Sequence, residues 1–178
     1  YTAAVRWRNA RFDRGSAESF AVDAPVVSVG NLTMGGTGKT PLVEWIARWY
    51  RGHDVRVTLI SRGYGAEEGA ANDEALEMEQ KLPDVPHLQN PDRVAAAQMA
   101  IEEFECQLVL LDDGFQHRRL RRDLDIVLLD ASQPWGFGHV FPRGMLREPI
   151  EGLKRADVVV LSRADMLDAE GRTAIRGK

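Results

Sequence analysis

The residues with the most specific chemistry are Gly35-Gly36-Thr37-Gly38-Lys39-Thr40, preceded by Thr33 and Met34. Glycines at this density let a backbone curl so that successive N–H groups face one anion. A helix starting there adds its positive N-terminal end. Lys39 then reaches the β- and γ-phosphates of a nucleotide, and the Thr40 hydroxyl is placed to ligate Mg²⁺. The pattern departs from GxxxxGK[ST] at one point, because Thr33 stands where the first Gly would be. Residues 33–40 are read as a nucleotide phosphate loop (P-loop) that works with Mg²⁺.

A second set lies downstream. Leu108-Val109-Leu110-Leu111 runs into Asp112-Asp113. In P-loop proteins an Asp at the end of such an apolar strand holds Mg²⁺ directly or through water. Adjacent strand residues point to opposite faces, so the two carboxylates have different tasks unless the strand has already ended. Gly114-Phe115-Gln116-His117 follows at once, and His117 is placed to touch a phosphate or a substrate hydroxyl. Arg118, Arg119, Arg121 and Arg122 come next. They read either as a solvated loop or as a contact to an anionic substrate or acidic membrane surface.

The elements that must position these groups follow from periodicity. Strands are expected at 24–30, 55–60, 108–111, 125–129 and 157–161, and four of the five are nearly continuous apolar runs. Helices are expected at 1–13, 41–50, 73–81 and 168–176, with another from an Asp92 cap through Phe104. Alternating strands and helices imply an α/β fold of the P-loop NTPase type, a mostly parallel sheet with helices on both faces. Function then belongs at the carboxyl ends of the strands.

Composition narrows the rest. With 178 residues, 44% apolar and 28% charged, the chain is globular rather than fibrous or disordered. A net charge of −4 argues against general nucleic-acid binding. The single cysteine, Cys106, cannot form an internal disulfide, which fits a reducing compartment. No apolar run approaches the ~18 residues of a membrane span, and residues 1–8 lack a signal-peptide core. The chain begins with Tyr rather than Met, so it reads as a fragment.

The motifs together resemble the tetraacyldisaccharide 4′-kinases, the lipid A kinases of Gram-negative bacteria. The resemblance rests on Ser28–Thr33 running into Gly35–Pro41, on Ser61-Arg62-Gly63-Tyr64-Gly65, on Asp112–His117, and on Arg143-Gly144-Met145-Leu146-Arg147-Glu148-Pro149. It implies transfer of the γ-phosphate of ATP to the 4′-hydroxyl of an acylated glucosamine disaccharide 1-phosphate, giving lipid IVA at the cytoplasmic face of the inner membrane. No protein partner is implied. It further implies a helical segment at 1–23 that ends a membrane-associated region, a nucleotide-binding and kinase unit at 24–178, and a C-terminal subdomain beyond this chain. The family's catalytic Asp falls on Asp73 in Asn72-Asp73-Glu74, where Asn replaces the family's Gly. A family His that assists that Asp lies in the absent part. The resemblance makes Lys39, Asp73, Asp113 and His117 the catalytic set and Thr40, Asp112 and Asp113 the metal set, with Glu148 a lesser candidate for the metal or phosphate environment. Arg62, Arg118 and Arg119 are expected to meet the substrate's 1-phosphate on charge alone, and Trp7, Phe12, Trp135 and Phe137 form a candidate membrane face.

Two other classes remain. Asp157–Leu161 followed by Ser162-Arg163-Ala164-Asp165 has some likeness to the strand and [NT]KxD loop of guanine-reading P-loop GTPases, including metal-insertion regulators. A nucleotide-binding fragment without transfer activity is the other.

Overall fold

The computed structural model describes residues 1–63 and 73–176, the side chains at 73–75 and 176 excepted. In chain order the elements are α1 (Thr2–Asp13), β1 (Val26–Asn31), α2 (Lys39–Arg51), β2 (Val57–Ser61), α3 (Asp73–Lys81), β3 (His87–Gln89), α4 (Arg93–Phe104), β4 (Leu108–Asp112), β5 (Leu124–Asp130), β6 (Val158–Ser162) and α5 (Ala169–Arg176). Short 3₁₀ turns lie at Gly136–Gly138, Ile150–Arg155 and Ala164–Met166.

The strands form one sheet in the order β3-β2-β4-β1-β5-β6, and every pairing is parallel. The two-residue alternation of strand side chains divides the core. Val27, Val29, Leu59 and Leu110 pack on one face with Val43, Ile46 and Ala47 of α2 and Met78 of α3. Val26, Ile60, Val109 and Leu111 pack on the other with Val94, Ala97 and Ala100 of α4. Cys106 is buried in that second layer.

The expected elements form within one or two residues of their predicted ends. Asp92 caps α4 as expected, its Oδ1 accepting from the N–H groups of Val94 (3.1 Å) and Ala95 (3.3 Å). The sequence reading has no counterpart for β3. Three residues are too short for periodicity to show. The strand is made by pairing, with Leu59 opposite His87 and the Leu59 N–H donating to the Pro86 carbonyl at 2.9 Å.

Because β1 is flanked by β4 and β5, three carboxyl ends converge around the phosphate loop. β6 is one of the two edge strands, and its Val158 and Val159 are exposed.

Candidate functional site

The phosphate loop runs from the end of β1 to Lys39, the first residue of α2. Gly35 (φ +105°) and Gly38 (φ +83°) hold backbone conformations that side chains rarely adopt, so these two positions require glycine. The buried Asn31 amide ties the loop's two ends, donating to the Thr33 carbonyl (2.8 Å) and to Thr37 Oγ1 (3.0 Å). The first part of the loop is stitched to a distant segment. Thr33 pairs with Leu146, and the Met34 N–H donates to the Met145 carbonyl at 2.7 Å. Thr33 and Met34 thus anchor the loop, and residues 35–40 form its open turn.

The acids sit on the adjacent strand. β4 ends at Asp112, and Asp113 takes a left-handed conformation (φ +54°). The strand has ended between the two, so the opposite-face rule does not separate them. Asp113 Oδ2 accepts from Arg147 Nη1 at 2.6 Å, and Oδ1 lies 3.6 Å from Lys39 Nζ. Burial works to raise the Asp113 pKa, but the Lys39, Arg147 and Arg93 charges outweigh it and hold the carboxyl below its usual range.

The turn that follows is packed without slack. A Cβ on Gly114 would stand 2.7 Å from Ser28 Oγ, and one on Gly30 would stand 2.6 Å from the Phe115 Cβ. The Arg155 guanidinium lies 4.5 Å over the Phe115 ring. Gln116 donates to the Asn31 carbonyl (3.0 Å) and to Glu148 Oε1 (3.2 Å). His117 is depressed to a pKa of about 4, first by burial and then by Arg93, Arg119 and Arg122, so its imidazole is neutral near pH 7.

Glu148 corrects one expectation. Its side chain is wholly buried and takes protein donors on both oxygens: Arg155 Nη2 (2.8 and 2.9 Å), Asn9 Nδ2 (2.7 Å) and Gln116 Nε2 (3.2 Å). It is therefore a structural clasp between α1, the acid turn and the Ile150–Arg155 turn, not a metal or phosphate ligand.

A cleft of about 580 Å³ opens beside the acids, and Arg8, Arg62, Arg93, Arg147, Asp113 and His117 are among its lining residues. Its cations differ from the expected ones. Arg62 is present, but Arg118 pairs with Asp13 of α1 (2.8 Å) and Arg119 faces Asp92 (3.6 Å). The sequence reading gave no role to Arg8 or Arg93. Arg147 appeared only inside a motif, and its position next to Glu148 was the available signal. Asp73 opens α3, but its side chain lies outside the described residues, as do Tyr64, Gly65 and Asn72. Of the suggested membrane face, Trp7 and Phe137 are exposed, whereas Trp135 is half-buried against the cluster holding Leu32 and Phe115. Among the described residues no helix is long and apolar enough to cross a membrane.

Comparison with known proteins agrees with this architecture. The crystal structure of the "apo" form of LpxK from Aquifex aeolicus in complex with ATP superposes with a TM-score of 0.84 at 35% identity, covering 93% of this chain and 56% of that one. The signal recognition particle receptor FtsY from Elizabethkingia anophelis, at 14% identity and a TM-score of 0.56, shares the fold alone. Tetraacyldisaccharide 4′-kinases from Anaeromyxobacter dehalogenans and Geobacter sulfurreducens are 44% and 41% identical over 99% and 92% of this chain. The chain spans about half the length of these curated relatives. The family model described as tetraacyldisaccharide-1-P 4′-kinase matches residues 1–177. With its phosphate loop, acid turn and Arg147–Glu148 segment assembled on one sheet edge, the chain belongs to the tetraacyldisaccharide 4′-kinase family.

Proposed function

We propose that this chain carries the nucleotide-binding part of an enzyme that transfers the γ-phosphate of ATP to the 4′-hydroxyl of a tetraacyldisaccharide 1-phosphate, giving lipid IVA. The observation that carries this reading is the run Lys39–Asp113–Arg147 at the mouth of the phosphate loop, beside a cleft lined by guanidinium groups. Phosphoryl transfer asks for positioning and charge neutralisation more than covalent chemistry. Residues 35–40 cradle the β- and γ-phosphates, and Lys39 offsets charge on the transferred oxygens. Arg62, Arg93 and Arg147 supply positive charge for a second phosphate in the cleft.

The oxygens of Thr40, Asp112 and Asp113 are hard donors of the kind Mg²⁺ takes alongside nucleotide phosphates and water. When bound there, the ion would neutralise phosphate charge. Asp113, already facing two cations, orients Lys39 and Arg147 as well. The neutral His117 donates or accepts one hydrogen bond in the cleft without adding charge. Asp73 accepts or orients the proton of the attacking hydroxyl. Residues 1–23, whose helix is α1 at Thr2–Asp13 with irregular chain from 14 to 23, lead from the membrane into a nucleotide-binding unit at 24–178. The enzyme works at the cytoplasmic face of the inner membrane, reached through the exposed Trp7 and Phe137.

The test uses the full-length protein. Binding of ATP and GTP with Mg²⁺ is measured for wild type and Lys39→Ala, followed by transfer of labelled γ-phosphate to the lipid acceptor. ATP preference is expected. Lys39→Ala should lower kcat/KM by about 10²–10³-fold, the usual cost of losing one preorganised charge-stabilising group. A GTP preference would replace this reading with the GTPase one, and unimpaired turnover by Asp73→Asn would remove Asp73 from the chemistry.

A further inference from the structure

The loop after β6 carries Ser162-Arg163-Ala164-Asp165, a motif the kinase reading leaves without a role. Arg163 takes a left-handed conformation (φ +53°), and its side chain reaches across the sheet edge to the phosphate loop. Its Nη2 donates to the Gly36 carbonyl at 3.2 Å, and its Nη1 pairs with Asp130 at the end of β5. The loop itself is pinned from α5, where Arg172 Nη1 donates to the carbonyls of Ala164 (3.0 Å) and Leu167 (2.8 Å). Gly38 borders the same loop, since a Cβ there would meet Ser162 Cβ at 3.8 Å.

The sheet order says which end of a nucleotide this side receives. Lys39 and Asp113 mark the terminal phosphates, and Asp113 follows β4, on one side of β1. β5 and β6 lie on the other side of β1. A triphosphate with its γ end at Lys39 and Asp113 therefore runs its nucleoside toward Asp130 and Arg163.

We propose that the Arg163 guanidinium is the platform on which the purine base of the bound nucleotide stacks; this rests on the ATP-binding reading above. Asp130 and the Gly36 carbonyl take the guanidinium by its N–H edge. That engagement fixes the plane and leaves its flat face to a ligand, and the side chain is 49% exposed. A guanidinium plane stacks on aromatic rings, and an ammonium cannot replace it. Stacking does not read the base's hydrogen-bonding edge, so it supports adenine and guanine alike.

The test is calorimetric binding of ATP, GTP and inorganic tripolyphosphate, each with Mg²⁺, to full-length wild type, Arg163→Ala and Arg163→Lys. Both variants should weaken ATP and GTP by about five- to tenfold and leave tripolyphosphate unchanged. Retained tripolyphosphate binding also reports an intact fold. Equal weakening of all three ligands would show that Arg163 acts by holding the loop, and would overturn the platform. So would full ATP affinity in either variant. If wild type binds no triphosphate at all, the nucleotide reading itself fails and the platform falls with it.

Discussion

At the carboxyl end of β4, the functional groups rest on buried, interlocked side chains. Glu148 gathers Asn9, Gln116 and Arg155, Phe115 fills the space against Gly30, and Asp113 is held between Lys39 and Arg147. At the carboxyl ends of β5 and β6 the arrangement is looser. One half-exposed side chain, Arg163, paired with Asp130, touches the phosphate loop, and β6 is an edge strand with exposed valines. The difference follows the division of labour in the proposed reaction. Transferring a phosphoryl group rewards groups held in place before the substrate arrives. Holding a nucleoside rewards a surface that a flat ring can reach.

That contrast breaks most directly at Glu148. Glu148→Ala leaves the largely buried Arg155 without its carboxylate partner and removes an acceptor from Asn9 and Gln116. Removing one partner of such a pair costs about 3–5 kcal/mol. Urea unfolding should show that loss, whereas Arg163→Ala on the looser side, where the Arg side chain is half-exposed, should cost under about 1 kcal/mol. Similar losses at the two positions would erase the distinction.

A pair of glycines sharpens it further. Gly114→Ala drives a Cβ into Ser28 Oγ and the Leu111 side chain, an overpacking worth about 1–3 kcal/mol. Gly36 has nothing within 4 Å of the same construction, so Gly36→Ala should shift stability by less than about 0.5 kcal/mol. Thermal melts of the two variants make the comparison.

The pH dependence tests the same turn by titration. A His whose folded pKa is depressed from 6.5 to about 4 favours the neutral form, so the unfolded chain binds more protons between those values. Its stabilisation is complete above pH 6.5 and is lost as pH falls toward 4. Asp113, also depressed, loses its contribution as pH drops below the ordinary carboxylate value of 3.8. Both act in the same direction, toward acid lability of the acid turn. His117→Asn should flatten the decline in unfolding free energy between pH 6.5 and 4 while leaving the steeper loss at lower pH. A profile unchanged by the substitution would show that His117 is not the titrating group.

Much of the architecture was legible in one dimension. The helix of residues 39–51, the strands and the Asp92 cap follow from periodicity and local side-chain chemistry, which are properties of neighbours in the chain. The phosphate loop is equally local, because its glycines and Lys39 lie within a few residues of one another. Recognition of the acid turn needed only an apolar run ending in carboxylates. What the chain's own order determined, then, is which segment forms the glycine-rich loop and which strand ends bear acids.

Tertiary structure alone decided which side chains serve them. Glu148 meets Asn9 from 139 positions away, and Arg163 meets Gly36 from 127. Arg8 and Arg93 share a cleft with Arg147, while Arg118, nearer in sequence to the acids, is drawn off by Asp13. Glu148 is, from the family resemblance, a lesser candidate for the metal or phosphate environment, yet its burial and three partners make it a clasp. Periodicity records whether a residue turns inward but not what it meets there. The parallel sheet sets those meetings, because it brings the ends of β4, β1, β5 and β6 to one edge whatever their separation along the chain.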